Sequence, residues 1–108
     1  MPVFPDFISI GMIISLNEIT RCESASNYTN FHLENGTSIL VSKTMKEYES
    51  ILLENSFVRI HNSHIVNIHF IEEYIKGRGG EVVLSNGKRL AVSNGKKENL
   101  LQTLKLKK

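Results

Sequence analysis

Asn-Gly pairs at Asn35-Gly36 and Asn86-Gly87 each stand between two short runs of β-branched, aromatic and aliphatic residues. Asn-Gly accepts the positive φ angles of a tight hairpin, so each pair predicts two antiparallel strands joined by a turn. The first pair joins a strand over Tyr28–Leu33 to one over Ser38–Ser42, and the second joins Glu81–Ser85 to Lys88–Ser93. Runs at Ile8–Leu16, Ile19–Glu23 and Phe57–Ile60 read as further strands, and Ile65–Ile75 as one or two more. Two helices interrupt this pattern. Thr44 and Glu47 have capping-box spacing, and Met45, Tyr48, Ile51 and Leu52 recur on one helical face, which predicts a helix from about Met45 to Glu54. A second runs from about Lys96 to Leu106, with Leu100, Leu101 and Leu104 on one stripe and Ser93 or Asn94 placed to cap it. The expected class is mainly β, with small antiparallel sheets and two short α-helices. One domain over residues 8–106 suffices, preceded by a linker at 1–7 where Pro2 and Pro5 resist regular structure.

Several function classes find no support. The longest apolar stretch, Phe7 to Leu16, is far shorter than the ~20 residues of a membrane helix. It also lacks the basic start of a signal peptide. A lone cysteine, Cys22, can form neither an intrachain disulfide nor a multi-thiolate metal site, which fits a cytoplasmic protein. No Gly-x-Ser-x-Gly elbow is present, and Gly77, Gly79 and Gly80 lack the spacing of a phosphate cradle. Glu72 and Glu73 are adjacent in an expected strand, so they should point to opposite faces rather than converge. His61, His64 and His69 lie close together, but they have neither the helix nor the cysteine partners of a zinc site. Neither enzyme activity nor a cofactor is expected.

Charge is unevenly spread. Residues 1–58 carry three basic against seven acidic side chains, a net of −4, while residues 59–108 carry ten against four, a net of +6. A basic half on a small domain suggests a polyanionic partner. The same asymmetry would suit a protein-interaction or ligand-sensing β module whose basic half is merely solvated.

The segment Phe57-Val58-Arg59-Ile60-His61-Asn62-Ser63-His64-Ile65-Val66-Asn67 is the most informative. Apolar anchors flank five polar side chains that would cost about 1–3 kcal/mol each if buried unpaired. Such a run is a hydrogen-bonded turn or a recognition loop. It resembles the LytTR family signature, Phe-x-Arg-x-His-(Arg/Lys)-Ser-(Tyr/Phe)-(Ile/Leu)-Val-Asn, at Phe57, Arg59, His61, Ser63, Ile65, Val66 and Asn67. It departs from that signature at Asn62 and His64. Ile19–Tyr28, Ser42–Leu53 and Leu90-Ala91-Val92-Ser93 resemble flanking parts of the same family, so the likeness covers about residues 8–106.

The resemblance implies a LytTR-like fold that binds double-stranded promoter DNA, at paired sites, through loops rather than a recognition helix. It implies base contact by Asn27, Asn62 and Asn94, one on each of three loops. Arg59, His61, Ser63, Lys76, Arg78, Lys96 and Lys97 are the corresponding candidates for contact with the DNA backbone. Asn94 stands where the family usually has arginine, and asparagine pairs with adenine rather than guanine. Asn67 and Tyr28 are expected to be structural, as a side-chain hydrogen bond and a core-edge packer, and because the chain has no aspartate cluster to accept a phosphoryl group, a receiver or other input domain is expected upstream. The whole reading requires Asn27, Asn62 and Asn94 to emerge on one side of a rigid scaffold.

Overall fold

The computed structural model describes residues 14–77 and 79–107, with side-chain environments as far as residue 105. The expected linker at 1–7 and most of the strand expected at Ile8–Leu16 lie outside the described residues. Where that segment becomes visible, Ser15 makes a single β-bridge and the chain then enters a 3-10 turn, Leu16–Glu18. The reason is a local capping box. The Ser15 hydroxyl accepts the Asn17 N–H at 3.2 Å, and the Glu18 carboxylate accepts the Ser15 N–H at 3.1 Å.

Eight strands and two helices follow among the described residues. Strands β1 (Ile19–Ala25), β2 (Tyr28–Leu33) and β3 (Ser38–Val41) lead into helix α1 (Lys46–Leu53). Then come β4 (Phe57–His61), β5 (His64–Asn67), β6 (Ile71–Ile75), β7 (Glu81–Leu84), β8 (Arg89–Ala91) and helix α2 (Lys97–Lys107). They form a five-stranded antiparallel sheet in the order β3-β2-β1-β5-β4 and a three-stranded one in the order β6-β7-β8. Both expected Asn-Gly hairpins are present, but as three-residue loops closed by Leu33 and Thr37 and by Leu84 and Lys88, in which the glycine and not the asparagine is left-handed, with φ of 93° at Gly36 and 88° at Gly87. The asparagine side chains reinforce them, Asn35 accepting the Thr37 N–H and Asn86 the Lys88 N–H, each at 3.0 Å.

The stretch Ile65–Ile75 is divided between the two sheets. Asn67 ends β5 by accepting the His69 N–H at 3.0 Å, which starts a 3-10 turn over Ile68–Phe70, and β6 then enters the second sheet. A bulge lies between Ile71 and Glu73 on β6. It leaves both Glu72 and Glu73 exposed, so strict alternation does not separate them as expected.

Helix α1 is one residue shorter at each end than the sequence predicts, and its capping box does not form. Met45 takes the cap position in a helical conformation with no side-chain cap, while the carbonyls of Thr44 and Met45 accept from Glu47 and Tyr48. Met45 is buried in the core, so packing rather than capping sets this start. Ser93 stands at the cap before α2, likewise without a side-chain hydrogen bond, and a 3-10 turn over Asn94–Lys96 precedes the helix.

Two apolar clusters hold the fold, and the β4–β5 hairpin is the wall between them. Phe57 and Ile65 join Cys22, Phe31, Tyr48 and Leu52 against α1, where the Phe31 and Tyr48 rings meet edge to face at 5.1 Å. Val58, Ile60 and Val66, on the opposite face, join Val82, Leu84, Leu90 and Leu100 from the second sheet and α2. Strand alternation therefore turns Arg59, which lies between Val58 and Ile60, toward α1. Burial pushes the Cys22 thiol well up, so it is a packed core group and not a reactive thiolate.

Candidate functional site

The turns that join β1 to β2 and β4 to β5 lie at the same end of the five-stranded sheet, because β1 pairs antiparallel with both β2 and β5. The Ser24 N–H donates to the Ser63 carbonyl at 3.0 Å and ties the two turns together. The segment after β8 reaches the same end, where the Ser93 N–H donates to the Ile60 carbonyl at 2.9 Å. Asn27, Asn62 and Asn94 sit on these three adjacent loops, and all three are exposed.

Each loop has its own physical cause. Ala25 and Tyr28 are cross-strand partners, so Ser26 and Asn27 form a two-residue turn, with Ser26 at φ 60°. Left-handed backbone costs a residue with a Cβ roughly 1–2 kcal/mol, yet Ser26 holds it beside Asn27. In the β4–β5 turn the Ser63 N–H donates to His61 Nδ1 at 3.1 Å. That bond assigns the neutral His61 ring's proton to Nε2, which becomes a donor.

Beneath the same turn the Arg59 guanidinium is engaged on three sides. Nε donates to the His61 carbonyl at 3.2 Å, Nη2 to the Asn62 carbonyl, and Nη1 lies 3.0 Å from the Glu49 carboxylate on α1. A fourth loop flanks the third. At Gly80 the backbone is left-handed, φ 70°, which favours glycine, and a Cβ would stand 2.6 Å from the Tyr74 hydroxyl and 3.2 Å from Lys97 Cε, so the loop lies close to both side chains. Lys76 is exposed on that loop, and Lys96 and Lys97 are half-buried at the start of α2. Arg78 lies outside the described residues. Arg89 pairs with Glu81 at 3.1 Å.

Lys43 stands in no motif that marks it as part of this site. The Thr29 hydroxyl donates to the Lys43 carbonyl at 2.7 Å, which brings that exposed lysine to the end that carries Asn27. No local pattern could have revealed a bond between residues 29 and 43.

On the sheet face opposite α1, polar side chains cluster directly below the loops. Glu23 accepts from His32 Nε2 at 3.0 Å and lies 3.5 Å from Arg21, and His64 is its partner across β5. Burial pushes the His64 imidazole below its ordinary value; the Glu23 charge opposes this, while Arg21, His61 and Lys88 add to it. His32 is lowered too, chiefly by burial, against the pull of its Glu23 hydrogen bond. Burial alone would raise Glu23, but the His32 hydrogen bond and the neighbouring Arg21 charge outweigh it and leave the carboxyl below its usual range. All three shifts mean that the unfolded chain binds more protons than the folded one. Stability should therefore fall as pH drops through the ordinary histidine range, near 6.5, and fall further through the carboxylate range. Urea midpoints at pH 7.5, 6.0 and 5.0 should decrease in that order, with a shallower decline in His64→Gln. Midpoints independent of pH would contradict this.

The described residues contain no group of three His, Cys, Asp or Glu side chains able to hold a metal ion, and no helix long and apolar enough to cross a membrane. The LytTr DNA-binding domain family model matches residues 11–105, nearly the whole chain. The chain belongs to the LytTR family of DNA-binding domains. The fold of this LytTR domain is also that of a solved structure from Bacillus cereus, described as the LytTr DNA-binding domain of a methyl-accepting/DNA response regulator. The two share 22% identity over 86% of each chain, with a TM-score of 0.77. No curated protein matches the sequence.

Proposed function

We propose that this LytTR domain binds specific sites in promoter duplex DNA by docking its loop end in the major groove, as the output part of a response regulator acting at paired sites. The single observation behind this reading is the convergence of Asn27, Asn62 and Asn94 on three hydrogen-bonded neighbouring loops. An asparagine can pair bidentately with adenine N6 and N7, and the major groove is about 12 Å wide, enough for a hairpin turn. The helices suit the groove less well. Helix α1 carries the exposed Glu47 in its first turn, and that carboxylate would repel phosphate.

The neighbours of the three asparagines divide by role. The His61 Nε2 proton, the Ser63 hydroxyl and the ammonium groups of Lys76, Lys96 and Lys97 suit the DNA backbone, which positions a protein without reading sequence. Selecting duplexes from a random pool should return adenine-containing sites. Asn62→Ala and Asn94→Ala should each lose about 1–3 kcal/mol on the selected duplex and relax selection at one defined base pair. Equal weakening on every duplex would move these residues to the backbone set. Failure to bind any duplex at low salt would favour a protein- or ligand-binding β module.

A further inference from the structure

We infer that Glu49, acting through Arg59, positions the β4–β5 turn and thereby sets the approach of Asn62; the functional half of this inference rests on the DNA-binding reading above. Glu49 lies in the acidic first turn of α1, and nothing along the sequence gives it a partner. The structure gives it a different place. Its Oε2 is 3.0 Å from Arg59 Nη1, and both side chains are largely covered, 30% exposed for Glu49 and 21% for Arg59.

The other two edges of the same guanidinium hold the turn itself, Nε on the His61 carbonyl at 3.2 Å and Nη2 on the Asn62 carbonyl. A guanidinium is planar, so fixing one edge on α1 fixes the direction of the other two. The turn backbone is thus braced from below by a helix whose own position is set by buried Tyr48 and Leu52. From above, Ser63 adds bonds to His61 and to Ser24, so the peptide that carries the Asn62 side chain has little freedom to rotate. Arg59 in this arrangement is not a free cation offered to a phosphate. Its hydrogen-bonding edges point into the protein, toward two carbonyls and a carboxylate.

Base readout needs the side-chain amide held within roughly 0.5 Å and 10–20° of the productive geometry, whereas phosphate contact tolerates more. A loosened turn therefore weakens the selected duplex more than an unrelated one. Glu49→Gln removes the charge that holds Nη1, and Arg59→Lys keeps a positive charge but loses the planar fork. Glu47→Gln, exposed on the same helix, controls for the simple gain in attraction to DNA when a carboxylate is removed.

The test is the ratio of affinities for the selected and a scrambled duplex, measured beside amide hydrogen exchange of residues 61–63 in the free protein. Glu49→Gln and Arg59→Lys should each lower the ratio roughly tenfold, a mid-range coupling between contacting residues, and should speed exchange at Asn62 and Ser63. Glu47→Gln should tighten both duplexes alike and leave exchange unchanged. A ratio and an exchange rate in Glu49→Gln equal to those of Glu47→Gln would overturn the inference. If Arg59→Lys kept full specificity, Arg59 would instead be a backbone contact. If the unmodified domain bound no duplex, the DNA reading would fall, while the exchange rates would still decide whether Glu49 holds the turn.

Discussion

Asn67→Ala lowers the stability of this domain by about 2–4 kcal/mol, or roughly 10–25 °C in Tm for a chain of this size. The side chain is 2% exposed and joins segments far apart in sequence. Its Nδ2 donates to the Ile19 carbonyl at 2.9 Å, across 48 residues, and its Oδ1 accepts the His69 N–H at 3.0 Å. The first bond closes the five-stranded sheet at the end opposite the loops. The second ends β5 and sends the chain into the other sheet. Alanine leaves a buried carbonyl and an N–H without their partner, and each such group costs about 1–3 kcal/mol unless water can enter. Asn67→Asp should be at least as damaging, because a carboxylate has no N–H to give Ile19 and adds a buried charge. Denaturation of the purified variants decides the matter. A loss below about 1 kcal/mol for Asn67→Ala would mean that water replaces the amide and that the sheet junction does not depend on it.

Affinity for the selected duplex falls roughly 60- to 500-fold between 50 and 200 mM salt. That range corresponds to a log–log slope of about −3 to −4.5, as expected if three to five phosphates are neutralised. Lys76 on the β6–β7 loop and Lys96 and Lys97 at the start of α2 supply three of these charges close to the third recognition loop. Replacing Lys96 or Lys97 with glutamine should reduce the slope by about 0.9 each and weaken all duplexes alike. That behaviour contrasts with the base-specific losses expected at Asn62 and Asn94. A slope near zero, with binding intact, would show that the lysines do not meet phosphates and that the basic half of the chain is solvated only.

Much of this architecture can be read along the chain because its causes are local. The hairpins at Gly36 and Gly87 arise from three-residue loops whose one left-handed position is filled by the glycine itself. The helices at Lys46–Leu53 and Lys97–Lys107 follow from apolar spacing within a dozen residues. What escaped the sequence lies where a distant contact overrides a local preference. Thr44 and Glu47 have the spacing of a capping box, but burial of Met45 fixes the start of α1 without one. Ile65–Ile75 has the composition of a continuous strand, but the bond from Asn67 to His69 turns the chain between sheets. Ser26 carries the positive φ of a turn with no glycine to announce it.

The candidate site divides along the same line. Alternation of residue types placed polar breaks after Glu23, at His61-Asn62-Ser63-His64 and before the last helix, and the family resemblance singled out Asn27, Asn62 and Asn94 within them. Only the tertiary structure decided that these tips share one end, because β1 must pair with both β2 and β5 before Ser24 can meet Ser63 and the chain after β8 can reach Ile60. It also decided that Arg59 turns toward Glu49 and two backbone carbonyls. A charged side chain takes the partners that folding brings within about 3 Å, and no pattern of neighbours along the chain can name a partner ten residues away on another element.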